Sequence, residues 1–302
     1  MNETRKRPCL VFDIILDNTK EAFITNVVTC ILNTVFSLLT ISGNAVVLRA
    51  IQKTRALHSP SSVLLCCLAF WDLLTGMVCQ PFFVAYKIAQ LEGKIDLSCV
   101  FATSNDISAY IFSSLSLLTL AAVSVDRLLS LLLHLRYHAI VTVRRVLQFA
   151  FVLWVFVVTC TLLKFWLRDH WNFIPMVFGI LTLIVITFCS VKIFQIARRH
   201  QRLIAHQTLS VGSLRTDVES VLKCKKSAVT ILYIYALFLA CFSPILVTIS
   251  IAGFSSGYTR KVTIAYNYAS TAFFINSFLN PIVYCWRIRK IRRAVKSTLK
   301  MR

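Results

Sequence analysis

Long apolar stretches separated by short polar ones dominate the chain. Seven are long enough to cross about 30 Å of hydrocarbon at ~1.5 Å per residue. They run over about 23–49, 60–87, 99–132, 145–167, 172–197, 224–253 and 261–285. Each predicts a spanning helix, because a segment in lipid must satisfy its own backbone. The longest connection, about 198–223, is polar, with Gly212 and several serines, and reads as a loop. Beyond residue 285 the pattern changes. Ile288, Ile291, Val295 and Leu299 recur at helical spacing with Arg and Lys between them. That register predicts a surface helix with its basic face against anionic headgroups. The expected fold is an all-α membrane protein, a seven-transmembrane helix bundle with a C-terminal amphipathic interfacial helix. Its expected organisation is an outer tail over 1–22, the bundle over 23–285, and a cytoplasmic helix with a short tail over 286–302.

Composition and charge orient this bundle. The chain is 57% hydrophobic yet carries a net charge of +21. A soluble nucleic-acid binder would interleave its basic residues with the apolar pattern. Here long runs carry almost none, so the expected partner is the lipid bilayer and not nucleic acid. Of the 33 Lys and Arg, 23 fall in the connections on one side. The positive-inside rule places the N-terminus outside and the C-terminus in the cytoplasm, which an odd number of spans requires. The plasma membrane is the expected location.

No cleavable signal sequence is visible in residues 1–21, where Arg5-Lys6-Arg7 has no apolar core behind it. Asn2 opens a glycosylation sequon, Asn-Glu-Thr, a pattern that also arises by chance. Most of the eleven cysteines lie in apolar segments, as small core hydrophobes do. Cys9 and Cys99 fall in the oxidising outer space, where a disulfide between them is one option.

Polar groups in mid-span are costly and therefore candidates for function. Pro281 interrupts the last span between Asn280 and Tyr284. It removes a helical hydrogen bond, so a neighbour or water must satisfy the freed carbonyl. Asn276 and Asn280 lie one turn apart and need polar partners on other helices. Asp72 on span 2 and Ser116 on span 3 are the candidates, with Asn44 on span 1. Together Asp72, Ser116, Asn276 and Asn280 offer the oxygen ligands a small hard cation takes, sodium first. The other reading is a neutral Asp72 acting as hydrogen-bonded glue between helices. Asp126 and Arg127 stand adjacent at the inner end of span 3 and can pair. Pro244 follows Phe242 in span 6 and marks a second kink.

These residues carry a resemblance. Gly43-Asn44, Leu68-Ala69 with Asp72, Asp126-Arg127, Trp154, Cys241 with Pro244, and Asn280-Pro281-Ile-Val-Tyr284 fall in order on the seven spans. The chain resembles a rhodopsin-like (class A) G-protein-coupled receptor. Tyr137 through Arg145 and Ile196-Ala-Arg-Arg-His200 look most like the melanocortin–adenosine–cannabinoid branch, with melanocortin receptors nearest. The resemblance implies an extracellular small-molecule or peptide ligand and a heterotrimeric G protein as partners. It implies that Asp72, Ser116, Asn276 and Asn280 form a sodium pocket, sodium being an allosteric ion and not a cofactor. It also implies that Asp126, Arg127, Pro244, Pro281 and Tyr284 form the switch that moves helix 6 outward.

Several positions depart from the family pattern. Leu128 replaces the tyrosine after Asp-Arg, and Phe242 replaces the tryptophan before Pro244. Ser190 stands where many members have a tyrosine. Cys224 stands where an acid could lock Arg127. Counting back from Arg127, Ala109 occupies the amine-binding position, so ordinary monoamine binding is not expected. Phe274 occupies the position of the retinal lysine, so a photopigment is not expected either. By position, the ligand-pocket candidates are Asp106, Tyr110, Phe242, Asn267 and Ser270. Asp106 has a competing role as salt-bridge partner of Lys87 or Lys261. A receptor-like scaffold without signalling is the alternative function. A small transporter would show repeated halves with matching broken helices, and an intramembrane enzyme paired catalytic groups; the sequence has neither.

Overall fold

The computed structural model describes residues 5–9, 13–16, 19–54, 59–133, 136–163, 173–208, 215–254 and 259–300. Asn2 lies outside them. Seven long helices follow one another: α1 (Lys20–Lys53), α2 (Pro60–Leu91), α3 (Ile95–Leu133), α4 (Val143–Leu163), α5 (Phe173–Thr208), α6 (Arg215–Phe254) and α7 (Arg260–Arg287). A short α8 (Arg289–Lys300) ends the chain. Six of the seven are apolar and long enough to cross a membrane by composition alone. α7 is 28 residues long, and its amides and hydroxyls dilute its hydropathy. Those groups face inward: Asn267, Ser270, Thr271, Asn276, Ser277 and Asn280 are all buried.

The bundle turns apolar side chains outward to lipid and buries its mid-span polar groups inside, beside an apolar core. On α1 the residues Thr29, Asn33, Ser37, Thr40 and Asn44 recur every three or four positions and are buried. Leu38, on the opposite side, is 66% exposed. Ser37 donates to the carbonyl of Gly76 at 2.7 Å. Residues Thr75–Cys79 form a π-helical turn within α2. Pro81 explains it, since its ring and missing N–H disturb the helix one turn earlier. α2 closes at Gly93 (φ 69°), where Lys94 N–H reaches the Ala89 carbonyl at 3.0 Å. This left-handed glycine cap turns the chain straight into α3.

The expected inner loop over 198–223 is shorter than its polarity suggests. α5 continues to Thr208 and α6 begins at Arg215. The segment is polar but rich in helix formers, which hydropathy does not detect. The side chains of Cys224, Lys223, Lys225 and Lys226 lie outside the described set.

α8 is held from one side. Ile291 and Ala294 are buried in the cluster that also holds Val47, Ala50 and Tyr284. Arg289, Lys290, Arg292, Arg293 and Lys296 are exposed. The outer tail contains two strands. β1 (Arg5–Pro8) and β2 (Asp13–Leu16) pair antiparallel, Arg5 opposite Leu16. A disulfide joins Cys9 of this hairpin to Cys99 on α3.

Candidate functional site: a buried polar cluster below an outer cavity

The cluster begins with Pro281. Without an N–H it cannot serve the carbonyl four residues back, that of Ser277. Asn44 on α1 donates to that carbonyl at 3.1 Å, and to its own helix at Thr40 O at 3.0 Å. Gly43 lets the two helices approach here; a Cβ on it would stand 3.5 Å from the Pro281 ring. The proline kink is thus matched by a donor from another helix.

Asp72 is fully buried. Asn280 Nδ2 donates to Asp72 Oδ2 at 2.8 Å, and Ser116 Oγ donates to Oδ1 at 3.3 Å. The sequence-predicted residues Asp72, Ser116 and Asn280 therefore meet, from α2, α3 and α7. Asn276 is buried one turn away, and its Oδ1 has no hydrogen-bond partner. A void of about 10 Å³ lies beside it, lined by Thr75, Ser113, Ser116, Asn276 and Ser277 among others. Each of these five carries a side-chain oxygen, and the space approaches that of one water or one small ion. The void is thus lined by oxygens of the kind a small hard cation takes, and Ser116 connects it to the Asp72 carboxylate. Among the described residues no three His, Cys, Asp or Glu gather into a metal site, so a transition metal has no set of ligands here.

Tyr284 is fully buried, and its hydroxyl has no hydrogen-bond partner. Ser190 on α5 is also buried with an unpartnered hydroxyl. Each is a polar group whose need the present packing leaves unmet.

The inner end of α3 differs from expectation. The carboxylate of Asp126 does not rely on the neighbouring Arg127. Ser61 on α2 donates to Oδ2 at 2.5 Å, and Tyr137 donates to Oδ1 at 2.5 Å. Tyr137 opens a single helical turn, Tyr137–Ile140, between α3 and α4. Its phenol is pushed up to about 12, first by burial and then by the Asp126 carboxylate it serves. Sequence reasoning missed Ser61 and Tyr137 as partners. Their available signal was a hydroxyl near each end of the first inner loop pair, which is weak.

Above the cluster lies a cavity of about 280 Å³ between α3, α4, α5, α6 and α7. Asp106, Tyr110, Phe242 and Ser270 line it, with Ala109 and Phe274. Asn267 does not. It faces α1, its Nδ2 3.5 Å from Asn26 Oδ1. Thr271, one turn further on, also faces α1 and accepts from Asn33 at 2.9 Å. Positions 267 and 271 thus share one flank of α7, while 266, 270 and 273 share the other. Lys87, expected near Asp106, donates to Gln90 Oε1 at 3.0 Å and sits 4.1 Å over the Tyr86 ring. Phe242 forms the cavity floor, 5.2 Å from the Phe238 ring and 5.8 Å from Phe273. Pro244 lies inside α6, two residues on. Phe156, Phe178 and Thr182 complete the wall from α4 and α5, a side the sequence reading left blank.

Comparison with known proteins gives two findings. The family described as "7 transmembrane receptor (rhodopsin family)" matches residues 43–175 and 168–284. The crystal structure of squid rhodopsin is similar with a TM-score of 0.75, covering 92% of this chain and 86% of that one at 19% identity. At that identity the likeness is one of fold.

Proposed function

Since the chain belongs to the rhodopsin family of seven-transmembrane receptors, we propose that it binds an extracellular ligand in the outer cavity and activates a heterotrimeric G protein. It does so from the plasma membrane, with its N-terminus outside. The melanocortin–adenosine–cannabinoid branch is the proposed lineage, from the likeness of the inner loops. The observation that carries the mechanism is Tyr284: a fully buried hydroxyl without a partner, one turn beyond the Pro281 hinge. Such a group favours any second arrangement that gives it a partner. A ligand that contacts Phe242 and Ser270 bears on α6 and α7 at once. If it binds the second arrangement better, it shifts the population toward it. The inner end of α6 then moves outward on its Pro244 kink, and Arg127 becomes available to the G protein.

Sodium is proposed as an allosteric ligand of the Asp72 cluster. Asp72, Ser116 and Asn276 would hold it, and Asn280 would orient the carboxylate. The ion supplies charge balance for Asp72 and favours the arrangement that keeps the cluster closed. A thermal melt checks this: NaCl should stabilise the purified protein more than KCl, and Asp72→Asn should remove the difference. Equal responses to both salts in the unmodified protein refute it.

Ser190 favours a second reading, a receptor-like scaffold that does not signal. It offers no phenol to meet Tyr284 in an active arrangement. Nucleotide exchange on purified G proteins separates the two. The receptor reading expects exchange above the G protein alone and its loss in Arg127→Ala. Exchange that Arg127→Ala leaves unchanged favours the scaffold.

A further inference from the structure

A second concavity, of about 430 Å³, runs along the outside of the bundle between α3, α4 and α5. Ala122 and Val125 of α3, Phe149 and Leu153 of α4, and Leu181 and Val185 of α5 line it. Phe149, Leu181 and Val185 are exposed, so the groove opens sideways into the membrane. Water in such a groove would find too few polar partners. The groove also has a direction. At its inner end stand Arg145 and Asp126, and towards its outer end Leu118, Phe178 and Thr182. From Arg145 to Leu153 the helix rises roughly 12 Å. One leaflet contributes about 15 Å, half of the hydrocarbon core. The groove is therefore about as long as one leaflet is deep.

Charge decides which lipid suits it. Arg145 is exposed and uses Nη1 to reach the carbonyls of Ile140 at 2.7 Å and Ala139 at 3.4 Å. That fixes one edge of the guanidinium at the groove's inner mouth and leaves its other N–H groups for a further acceptor. Arg144 is exposed beside it. The one acid in the wall, Asp126, is buried and its oxygens are taken by Ser61 and Tyr137. We propose that the groove is a binding site for an anionic phospholipid of the inner leaflet, one acyl chain in the groove and the headgroup on Arg145 and Arg144.

The site touches both parts of the receptor. Asp126, in the groove wall, belongs to the proposed inner switch, and Val125 precedes it on α3. Leu118, Phe178 and Thr182 line this groove and also the outer cavity, so a single layer of side chains separates the two. The lipid is thus placed to act on both. The proposal shares the sidedness of the receptor reading but not its signalling, and its test needs no G protein.

The test uses full-length Phe149→Trp protein in phosphatidylcholine nanodiscs, with brominated acyl chains as quenchers of the introduced tryptophan. Increasing fractions of brominated phosphatidylserine are compared with brominated phosphatidylcholine, and protein without the substitution gives the background. The site expects phosphatidylserine to be preferred about five-fold for each arginine that meets its headgroup. The pair Arg144→Gln and Arg145→Gln should bring the two lipids level. Ala122→Phe, which fills the groove, should abolish the preferential quenching while the thermal melt stays cooperative. Equal quenching by both lipids at the outset means bulk solvation only and overturns the proposal. A preference that survives the arginine substitutions overturns it too.

Discussion

Replacing Asn280 with Ala probes the contact that ties α7 to α2. In the structure Asn280 Nδ2 lies 2.8 Å from Asp72 Oδ2, and both residues are buried. The substitution leaves one carboxylate oxygen short of its amide donor. Ser116, at 3.3 Å on the other oxygen, cannot replace it. A hydrogen bond to a charged group contributes about 1.5–3 kcal/mol in water-soluble proteins. Between membrane helices, mutant cycles find about 0.6 kcal/mol on average and about 1.7 at most. The short distance and full burial put this contact at the upper end of the membrane range. The expected coupling between Asn280→Ala and Asp72→Ala is about 1–2 kcal/mol, a factor of roughly 5–30 in the unfolding equilibrium. Reversible unfolding in mixed detergent micelles would measure it across the four proteins of the cycle. The double variant should be less damaged than the two single losses together. Additivity within ~0.5 kcal/mol, the behaviour of independent sites, would refute the contact as a unit.

Other outcomes follow from single contacts. Burial and the Asp126 carboxylate push the Tyr137 phenol from its ordinary 10.0 up to about 12; its stabilisation is therefore complete below pH 10 and lost as pH rises from 10 to 12. Tyr137→Phe should lack that alkaline component, read as the difference between the two pH–stability curves. The hydroxyls of Thr187 on α5 and Tyr235 on α6 meet at 2.5 Å; Thr187→Val should loosen the two helices and raise ligand-free nucleotide exchange, and an unchanged basal rate counts against a role in holding α6. The Cys9–Cys99 bridge joins residues 90 apart; Cys99→Ser should cost about 2–5 kcal/mol of stability, and reductant should bring the unmodified protein to the same melting temperature.

Hydropathy made the seven spans legible, and the one-turn spacing of Asn276 and Asn280 pointed to Asp72 and Ser116. Both signals are local: one is an average over a window, the other a helical period. What escaped needed tertiary information. Asn267 and Ser270 both lie on the inward arc of α7, and no period says which faces α1 and which the cavity. The partners of Asp126 come from another helix and a loop turn, so adjacency to Arg127 misled. The inner extensions of α5 and α6 are helical yet polar, and an apolar window ends too early on them. The proline logic succeeded because it is chemical. Pro281 must free the Ser277 carbonyl, something must donate to it, and Asn44 does.

The central claim is a bundle with two arrangements of its inner face, biased together by ligand and G protein. Coupling between sites is reciprocal, so nucleotide-free G protein alone should shift the same equilibrium. Spin labels on the inner ends of α4 and α6, at Arg144 and Lys225, report it as a distance distribution. The expected result is a longer-distance population that grows when nucleotide-free G protein is added and shrinks again with guanine nucleotide. An identical distribution under all three conditions would contradict the account.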